Sequence, residues 1–323
     1  MPDHVIFSFA LNGPKAGKEL RHDEITEEIA NDTLAWVHLD RSHPDTREWL
    51  RSQISYLDRN VIEALLAEET RPRATVIGNG MLVILRGVNL NEGANPEDMV
   101  SLRLWIDDKR IISMRRRHVR AALDIKEQIE DGNIPATAGE FLAVLVDQLD
   151  DRIETAMRLI DDATDEVEEK LVMQADPMLR HPITDIRRRT IQLRRYIAPQ
   201  REAVNAIRNA QLDWITEPNR RHLTEAQDRL TRFVEDLDAI RERAQVVKDE
   251  LANALADRLN RNTYTLSVIA AIFLPLGFAT GLVGINLIGM PGAHHPNGFA
   301  IFCGILVLLV IVQVIIFRLL RWF

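Results

Sequence analysis

The chain has 323 residues, of which 46% are hydrophobic and 27% are charged, and its formal net charge is −8. These averages hide a division, because no acidic residue occurs from Leu266 onward and the only basic ones there are Arg318 and Arg321. Without those two, 38 basic residues stand against 48 acidic ones, so residues 1–265 carry a net charge of −10. An acidic body joined to an apolar tail excludes a plain soluble enzyme and argues against a nucleic-acid-binding protein.

Short apolar runs open the body and predict a small β-sheet mixed with short helices. The runs lie at residues 5–11, 35–40, 81–88, 102–107 and 110–114, and turn signals such as Gly78-Asn79-Gly80 separate some of them. From about Thr137 the pattern becomes helical, with Pro182 and Pro199 as predicted starts or kinks. Because the N-terminus lacks a secretory signal, we expect residues 1–215 to form an α+β cytoplasmic domain.

A very long helix is predicted to follow. Thr216 is a suitable N-cap with Pro218 just inside, and no glycine or proline occurs between Asn219 and Leu274. Continued through Ile285, such a helix would be about 100 Å long at 1.5 Å per residue. We expect residues 216–265 to be its cytoplasmic part.

This helix has a seven-residue repeat with one apolar seam. The seam consists of Leu223, Leu230, Leu237, Ala244 and Leu251 at one heptad position and Ala226, Phe233, Ile240, Val247 and Ala254 at the other. Such a repeat is typical of a helix that packs on neighbouring helices in the manner of a coiled coil.

The opposite side of the helix carries the candidate functional residues. One heptad position reads Asp228, Glu235, Glu242, Asp249, Ala256, Thr263, Ala270, Gly277 and Gly284, and a neighbouring one reads Asn253, Asn260, Ser267, Leu274 and Gly281. Repeated around a symmetric ring, the acids would attract cations into a funnel and the small or polar groups would line a pore. The alternatives are that exposed heptad positions are simply charged, and that Gly277 and Gly281 permit close helix packing.

Two uncharged stretches, residues 266–285 and 298–317, are each long enough to cross a membrane. Arg258 and Arg261 precede the first and arginines at 318 and 321 follow the second, so both termini are predicted to be cytoplasmic, with 318–323 as a cytoplasmic tail. The loop 286–297 would then be periplasmic. Neither span contains Asp, Glu, Lys, Arg or His, which favours a pore over a carrier, and two helices enclose a pore only in a homo-oligomer.

Several motifs, in this order, carry a family resemblance. They are Glu68-Glu69-Thr70-Arg71-Pro72-Arg73, Arg110-Ile111-Ile112-Ser113, Tyr196-Ile197-Ala198-Pro199-Gln200-Arg201-Glu202, Gly284-Ile285-Asn286 and Met290-Pro291-Gly292. With two C-terminal spans and positive ends, the chain resembles the CorA-type metal ion transporter family, specifically its ZntB-like zinc branch. The family's Gly-Met-Asn signature here has the Ile variant associated with that branch.

The resemblance implies a homopentameric funnel of long helices in the inner membrane, with the first span of each subunit lining the pore. Asn286 would face the incoming ion, and Gly284 and Ile285 would shape that constriction, with the short outer loop over the mouth. Magnesium members commonly have Glu where this chain has Gly292, so the outer loop lacks their carboxylate. Resemblance to the zinc branch also implies proton-coupled uptake.

The outer loop contains two adjacent histidines, His294 and His295, of nine in the chain. Zinc accepts imidazole nitrogen whereas magnesium prefers oxygen ligands, so copies of this pair could form a pH-sensitive zinc-recruiting ring. The alternative is that they only make a polar turn.

Three charged clusters and the only cysteine have ordinary interpretations. Asp161-Asp162, Asp165-Glu166 and Glu168-Glu169 form a solvated helix face or, alternatively, a cytoplasmic cation reservoir. The arginine runs 115–117 and 187–189 are interpreted as solvated or as ion pairs between helices. Cys303 is interpreted as a packing residue in the second span.

We therefore interpret the chain as a transporter that moves Zn²⁺, and similar ions such as Co²⁺, Ni²⁺ and Cd²⁺, through a homopentamer in the lipid bilayer. It has no permanently bound cofactor, no ATP site and no nucleic-acid partner, and it is not an enzyme, since no catalytic or nucleotide-binding motif occurs. Any proton coupling would use loop histidines or funnel carboxylates. The alternatives are a magnesium or cobalt channel of the same family and a membrane-anchored metal sensor or scaffold.

Overall fold

The computed structural model describes residues 4–21, 24–25, 27–28, 33–53, 57, 59–68, 70–285 and 295–319. The chain divides into two compact units, Met1–Asp249 and Glu250–Phe323. The first unit contains a β-sheet and several helices, and the second is helical in the part that is described. The membrane boundaries at residues 266, 285, 298 and 317 stay predictions.

A mixed six-stranded sheet lies at the centre of the first unit, with strand order β1-β2-β6-β5-β4-β3. Its strands are β1 (Val5–Ala10), β2 (Ala35–Asp40), β3 (Arg73–Ile77), β4 (Gly80–Gly87), β5 (Val100–Ile106) and β6 (Arg110–Arg115). All neighbouring strands are antiparallel except β2 and β6, which are parallel. The five apolar runs predicted from the sequence are all strands. The sequence did not predict β3, because this strand is largely exposed and so does not form an apolar run.

Both faces of the sheet are covered, which explains why its strands read as nearly continuous apolar runs. Helices α1 (Thr46–Gln53) and α2 (Arg59–Leu66) cover one face, where Trp49 and Leu65 belong to the same apolar cluster as Val37. On the other face the ring of Phe7 packs against that of Trp36 with centroids 4.9 Å apart.

Three helices complete the first unit around this second face. They are α3 (Arg120–Glu130), α4 (Ala138–Met173) and α5 (Arg180–Asn209), with a short 3₁₀ turn at Pro177–Leu179. Phe141 of α4 reaches the Trp36 ring at 4.8 Å. The predicted helical start is confirmed, because the Thr137 hydroxyl accepts a hydrogen bond from the Glu140 N–H and caps α4. Pro199 lies inside α5 without ending it.

Two of the three family motifs of the body meet around one arginine of β4. The Arg86 guanidinium donates to the carbonyl of Thr70 at 2.8 Å and lies over the Tyr196 ring at 4.4 Å. Its backbone N–H donates to the buried side chain of Gln200 at 2.7 Å. These motif residues therefore join the sheet to α5 and have a structural role in the first unit.

The long helix α6 spans Glu217–Gly284 as one 68-residue element. It begins where the sequence predicts, since the Arg220 N–H makes the first helical hydrogen bond to the Thr216 carbonyl. The detail of the cap differs from expectation. The Thr216 hydroxyl and N–H both donate to the side-chain oxygen of Asn219. Asn219 therefore provides the reciprocal half of a capping box, in which the third helical residue accepts from the N–H of the N-cap residue.

The second unit contains the end of α6 and the helix α7 (Gly298–Leu319). Both helices are long and apolar enough to cross a membrane, judged by length and composition. Proline has no N–H, so Pro275 cannot bond to the carbonyl of Ala271 one turn earlier. The Gln313 side chain of α7 donates to that carbonyl at 3.3 Å. The one strongly polar side chain of the second predicted span thus replaces a hydrogen bond that the proline removes.

Candidate functional site

The apolar seam of α6 is buried, as predicted. Nine of its ten positions, from Leu223 to Leu251, are at most 6% exposed, and Ala254 is half-buried. The burial of this seam leaves the opposite side of α6 facing outward in the first unit. That orientation is the first requirement of any functional surface on the helix.

Two arginines at the same heptad position tie α6 to acids of α4. Arg229 lies 2.5 Å from Asp147 and 3.9 Å from Asp150, whose carboxylate is completely buried. Burial raises the pKa of Asp150 well above its ordinary value, and the nearby positive charge of Arg229 opposes that rise. Burial likewise raises the pKa of Asp147.

The second arginine, Arg243, occupies the acidic patch of α4. Its guanidinium contacts Asp161 at 2.8 Å, Glu168 at 2.7 Å and also Asp165, and these hydrogen bonds raise the pKa of Arg243. Three of the six acids in the patch therefore bind Arg243, and a fourth, Glu166, binds Lys170 on the same helix. The sequence interpretations of a solvated face or a cation reservoir missed this, because Arg243 is 75 residues from Glu168.

The four acids of the predicted funnel row are all exposed on α6, and they are Asp228, Glu235, Glu242 and Asp249. Among the described residues, Asp249 is the one acid of this row that accepts a side-chain hydrogen bond, since Gln245 donates to both of its oxygens at 2.9 and 2.8 Å. Arg187 of α5 in turn donates to Gln245 at 2.5 Å. Arg188 and Arg189 lie 3.0 and 3.5 Å from the buried Glu97, so the 187–189 run does form ion pairs, but with a turn between β4 and β5 and not with another helix.

The predicted pore-lining residues of the second unit are exposed on the single chain. They are Asn260, Thr263, Ser267, Ala270, Leu274, Gly277, Gly281, Gly284 and Ile285. The Ser267 hydroxyl donates to the carbonyl of Thr263 at 2.8 Å, so its own donor is satisfied within the helix. Large side chains elsewhere on this stretch, such as Phe273 and Phe278, are similarly exposed. Seven of these nine positions hold small or polar residues, which distinguishes them from the bulky apolar side chains around them, and Leu274 and Ile285 are the exceptions.

The glycines of this surface are not required by packing within the described chain. A Cβ placed on Gly277, Gly281 or Gly284 would have no described atom within 4 Å. Gly87 of β4 shows the contrast, since a Cβ there would approach Leu149 of α4 to 2.9 Å. Close packing inside one subunit therefore does not explain the glycines of α6 among the described residues.

The two predicted sites at the outer end fall partly outside the described residues. Asn286 and His294 are not described. His295 is exposed, and its Nδ1 accepts a hydrogen bond from the Asn297 N–H at 3.2 Å just before α7. A neutral imidazole that accepts at Nδ1 carries its proton on Nε2, so metal binding at Nε2 would require His295 to give up this bond.

Comparison with known proteins agrees with the motif-based resemblance. The model of the CorA-like Mg²⁺ transporter protein family matches residues 31–319. The divalent cation transporter CmaX of Pseudomonas aeruginosa is 39% identical over 98% of this chain and 96% of its own. The zinc transport protein ZntB of Yersinia enterocolitica is 36% identical over 95% of this chain and 92% of its own.

A solved structure of full-length CmaX superimposes with a TM-score of 0.85 at 38% identity, covering 99% of this chain and 98% of that one. These matches confirm the resemblance and the α+β fold with a long helix and two C-terminal apolar helices. They also confirm that the similarity runs along nearly the whole chain, as the spread of the motifs predicted.

Proposed function

Because the chain belongs to the CorA-like Mg²⁺ transporter family, it is a divalent cation transporter and not an enzyme, and we propose that it moves Zn²⁺ through the central pore of a homopentamer. In this proposal the first predicted span of each of five copies lines the pore. The family resemblance supplies the number five, and the need to enclose a pore with one helix per chain requires several copies.

The observation that carries the proposal is the glycine surface of α6. Gly277, Gly281 and Gly284 have no packing partner among the described residues, although glycine weakens a helix interior by about 1 kcal/mol relative to alanine. We therefore assign these glycines a role other than packing within one chain. In a ring of copies, small residues keep a pore open and leave backbone carbonyls within reach of a hydrated ion.

The exposed acids of the first unit suit the cytoplasmic end of this route. In a ring, each of Asp228, Glu235 and Glu242 becomes a set of like charges around an axis. Such sets raise the local concentration of cations and repel anions, and salt weakens the effect where the charges are exposed. Asp249 contributes its charge from a fixed position, because Gln245 binds both carboxylate oxygens.

Zinc is the proposed ion for two reasons. The relative from Yersinia enterocolitica is named a zinc transport protein, and the outer loop of this chain has two histidines and no carboxylate. Magnesium retains its water and selects oxygen ligands, while zinc, cobalt, nickel and cadmium accept nitrogen. His294 and His295 are therefore proposed to attract transition-metal ions to the pore mouth, where Asn286 faces them.

The proposed direction is uptake across the inner membrane with both termini in the cytoplasm, in agreement with the arginines that flank the two predicted spans. Without an ATP-binding motif, the driving force is the membrane potential or a proton gradient. Because the spans contain no acidic, basic or histidine side chain, we place any proton coupling at the loop histidines or the funnel acids.

Ion flux into proteoliposomes tests the proposal. We expect Zn²⁺ influx that exceeds Mg²⁺ influx, and a further increase when the outside is made acidic relative to the lumen. Replacing His294 and His295 by alanine should reduce Zn²⁺ influx at low zinc and leave influx at saturating zinc unchanged. Mg²⁺ influx that exceeds Zn²⁺ influx would favour the magnesium channel, and the absence of any divalent flux would favour the sensor or scaffold.

A further inference from the structure

Three metal-ligating side chains meet at the edge of the sheet in the first unit. His4, His43 and Asp45 each offer one ligand atom, and these three atoms lie within 4.8 Å of one another. None of the three is part of the proposed ion route, and none lies in a motif that carries the family resemblance. His4 directly precedes β1, while His43 and Asp45 belong to the turn between β2 and α1.

Backbone hydrogen bonds fix the two segments that carry these side chains. The Asp40 N–H at the end of β2 donates to the His4 carbonyl at 2.9 Å, which places His4 beside the start of the turn. The Thr46 hydroxyl donates to the Asp40 carbonyl at 2.5 Å, and its N–H donates to the His43 carbonyl at 3.2 Å. The turn is therefore held at both ends, so the backbone itself brings the three side chains together.

The surroundings of the three side chains differ in a way that suits an exchangeable ion. His4 is 5% exposed, and its ring lies 5.8 Å from that of the buried Trp49, which limits its movement. The side chains of His43 and Asp45 are 28% and 69% exposed. A buried fixed ligand with two accessible ones allows an ion to arrive from water.

The distances are close to those of a zinc site. Tetrahedral zinc, with bonds of about 2.0–2.1 Å, holds its ligand atoms about 3.3 Å apart. His43 Nδ1 and Asp45 Oδ2 are already 3.7 Å apart. His43 Nδ1 also accepts a hydrogen bond from the Asp45 N–H at 3.3 Å, so this nitrogen carries no proton, and a bound ion would replace that hydrogen bond at its lone pair. Side-chain rotation that moves the ligand atoms of His43 and Asp45 by about 1 Å brings the three ligand atoms to the spacing of a zinc site.

We propose that His4, His43 and Asp45 bind one zinc-type transition-metal ion per chain, with water in the fourth position. Two imidazoles and a carboxylate form a ligand set that zinc uses and that magnesium does not. The site is separate from the transported ion, and the proposal does not rest on the proposed function, because metal binding is measured here without transport.

Cobalt absorption tests the site in the full-length chain, purified in detergent and freed of metal. The chain should carry the substitutions His294→Ala and His295→Ala, so that the outer loop does not contribute. We expect Co²⁺ to give the visible bands of a tetrahedral complex, Zn²⁺ to remove them, and Mg²⁺ in about a thousandfold excess to leave them unchanged.

The test variant is His43→Ala with Asp45→Asn, since both side chains are accessible and the change does not open the core. The matched control is His181→Ala with Asp185→Asn, another exposed His and Asp pair. We expect the test variant to lose the bands and about one bound zinc per chain, and the control to keep both. Zinc should raise the Tm of the control chain and not that of the test variant.

Equal cobalt bands and zinc stoichiometry in the test variant and the control would overturn the proposal. Bands that magnesium abolishes would overturn the assigned metal class. His4→Asn, checked for an unchanged Tm without metal, gives a second route to the same decision, because a site that needs all three ligands must weaken in this variant also.

Discussion

The long helix α6 behaves differently in the two units of the chain. In the first unit its seam is buried, and its arginines at 229 and 243 bind acids of α4. In the second unit a Cβ added to its glycines would contact no described atom within 4 Å, and the Gln313 side chain of α7 donates a hydrogen bond to its Ala271 carbonyl. The comparison teaches that the first unit is specified by contacts within one chain, whereas such contacts do not account for the glycine surface of the second among the described residues.

The sharpest way to break this comparison is to fill the glycine surface. Gly281→Leu adds a side chain where the described chain leaves open space, so it should not disturb the fold of the subunit. In the proposed pore it would add an apolar ring and reduce Zn²⁺ flux by about 100-fold or more. Proteoliposome flux measures the effect.

Gly304→Leu on α7 is the matched control, because a Cβ there also meets no described atom within 4 Å. This variant should keep wild-type flux. Equal flux in the two variants would show that the α6 surface does not line the conduit.

Removing Arg229 tests the first unit, where the largest effect on stability is expected. Arg229→Met leaves the carboxylate of Asp150 buried without its cation, and the free energy of unfolding should fall by about 3 kcal/mol. Asp150→Asn in the same chain should restore most of this loss, since it removes the buried charge. Denaturant unfolding in detergent measures both.

The stability lost in the Arg229 variant should also depend on pH. With its cation removed, Asp150 retains a proton to a higher pH in the folded chain than in the unfolded one, so the folded state binds more protons and the destabilisation should shrink as pH falls. Arg241→Met, which removes a half-exposed arginine 3.5 Å from Asp238, is the control and should cost less than about 1 kcal/mol. A loss of the same size in both variants would contradict the role of the buried charge.

A third prediction concerns a buried histidine of the sheet. Burial, with the charges of Arg115 and His118, lowers the pKa of His38 to about 3 from 6.5. Below pH 6.5 the unfolded chain protonates this residue and the folded chain does not, so stability falls as pH decreases until about pH 3. Between pH 7.5 and pH 5 the expected loss is about 2 kcal/mol.

The comparison of the wild type with His38→Asn isolates this effect, because Asp150, with its raised pKa, acts in the opposite direction in both chains. Asparagine can keep the contact to the Ser113 hydroxyl, which lies 2.7 Å from Nδ1. As pH decreases, the Tm of the variant should therefore fall less than that of the wild type. Identical slopes would show that His38 does not titrate as its burial implies.

The smallest expected effect lies in the second unit. Gln313→Leu removes the donor to the Ala271 carbonyl and should cost about 0.6–1 kcal/mol. In a Pro275→Ala background the helix supplies its own N–H to that carbonyl, so the same substitution should cost almost nothing. A double-mutant cycle of unfolding free energies gives the coupling, and equal costs in both backgrounds would show that the two residues act independently.

Five of the six strands, the start of α4 and α6, the seam and the two apolar helices could be predicted from the sequence. Each of these depends on which side of a helix or strand is buried, and an apolar repeat of two or seven residues indicates that side directly. The strand β3 was missing because its exposed residues leave no such record. The interpretation of the acidic patch as a solvated face agrees with the exposure of five of its six acids, but the sequence did not show their partner, Arg243, because it is on another helix.

The sequence alone determined the elements and their apolar sides, together with an uncharged membrane-length tail, since periodicity and composition are local properties. Only the tertiary structure decided which polar groups meet. Arg229 reaches Asp147 across 82 positions, Gln313 reaches Ala271 across 42, and His4 joins His43 and Asp45. These pairings depend on how distant segments pack, which no local pattern contains.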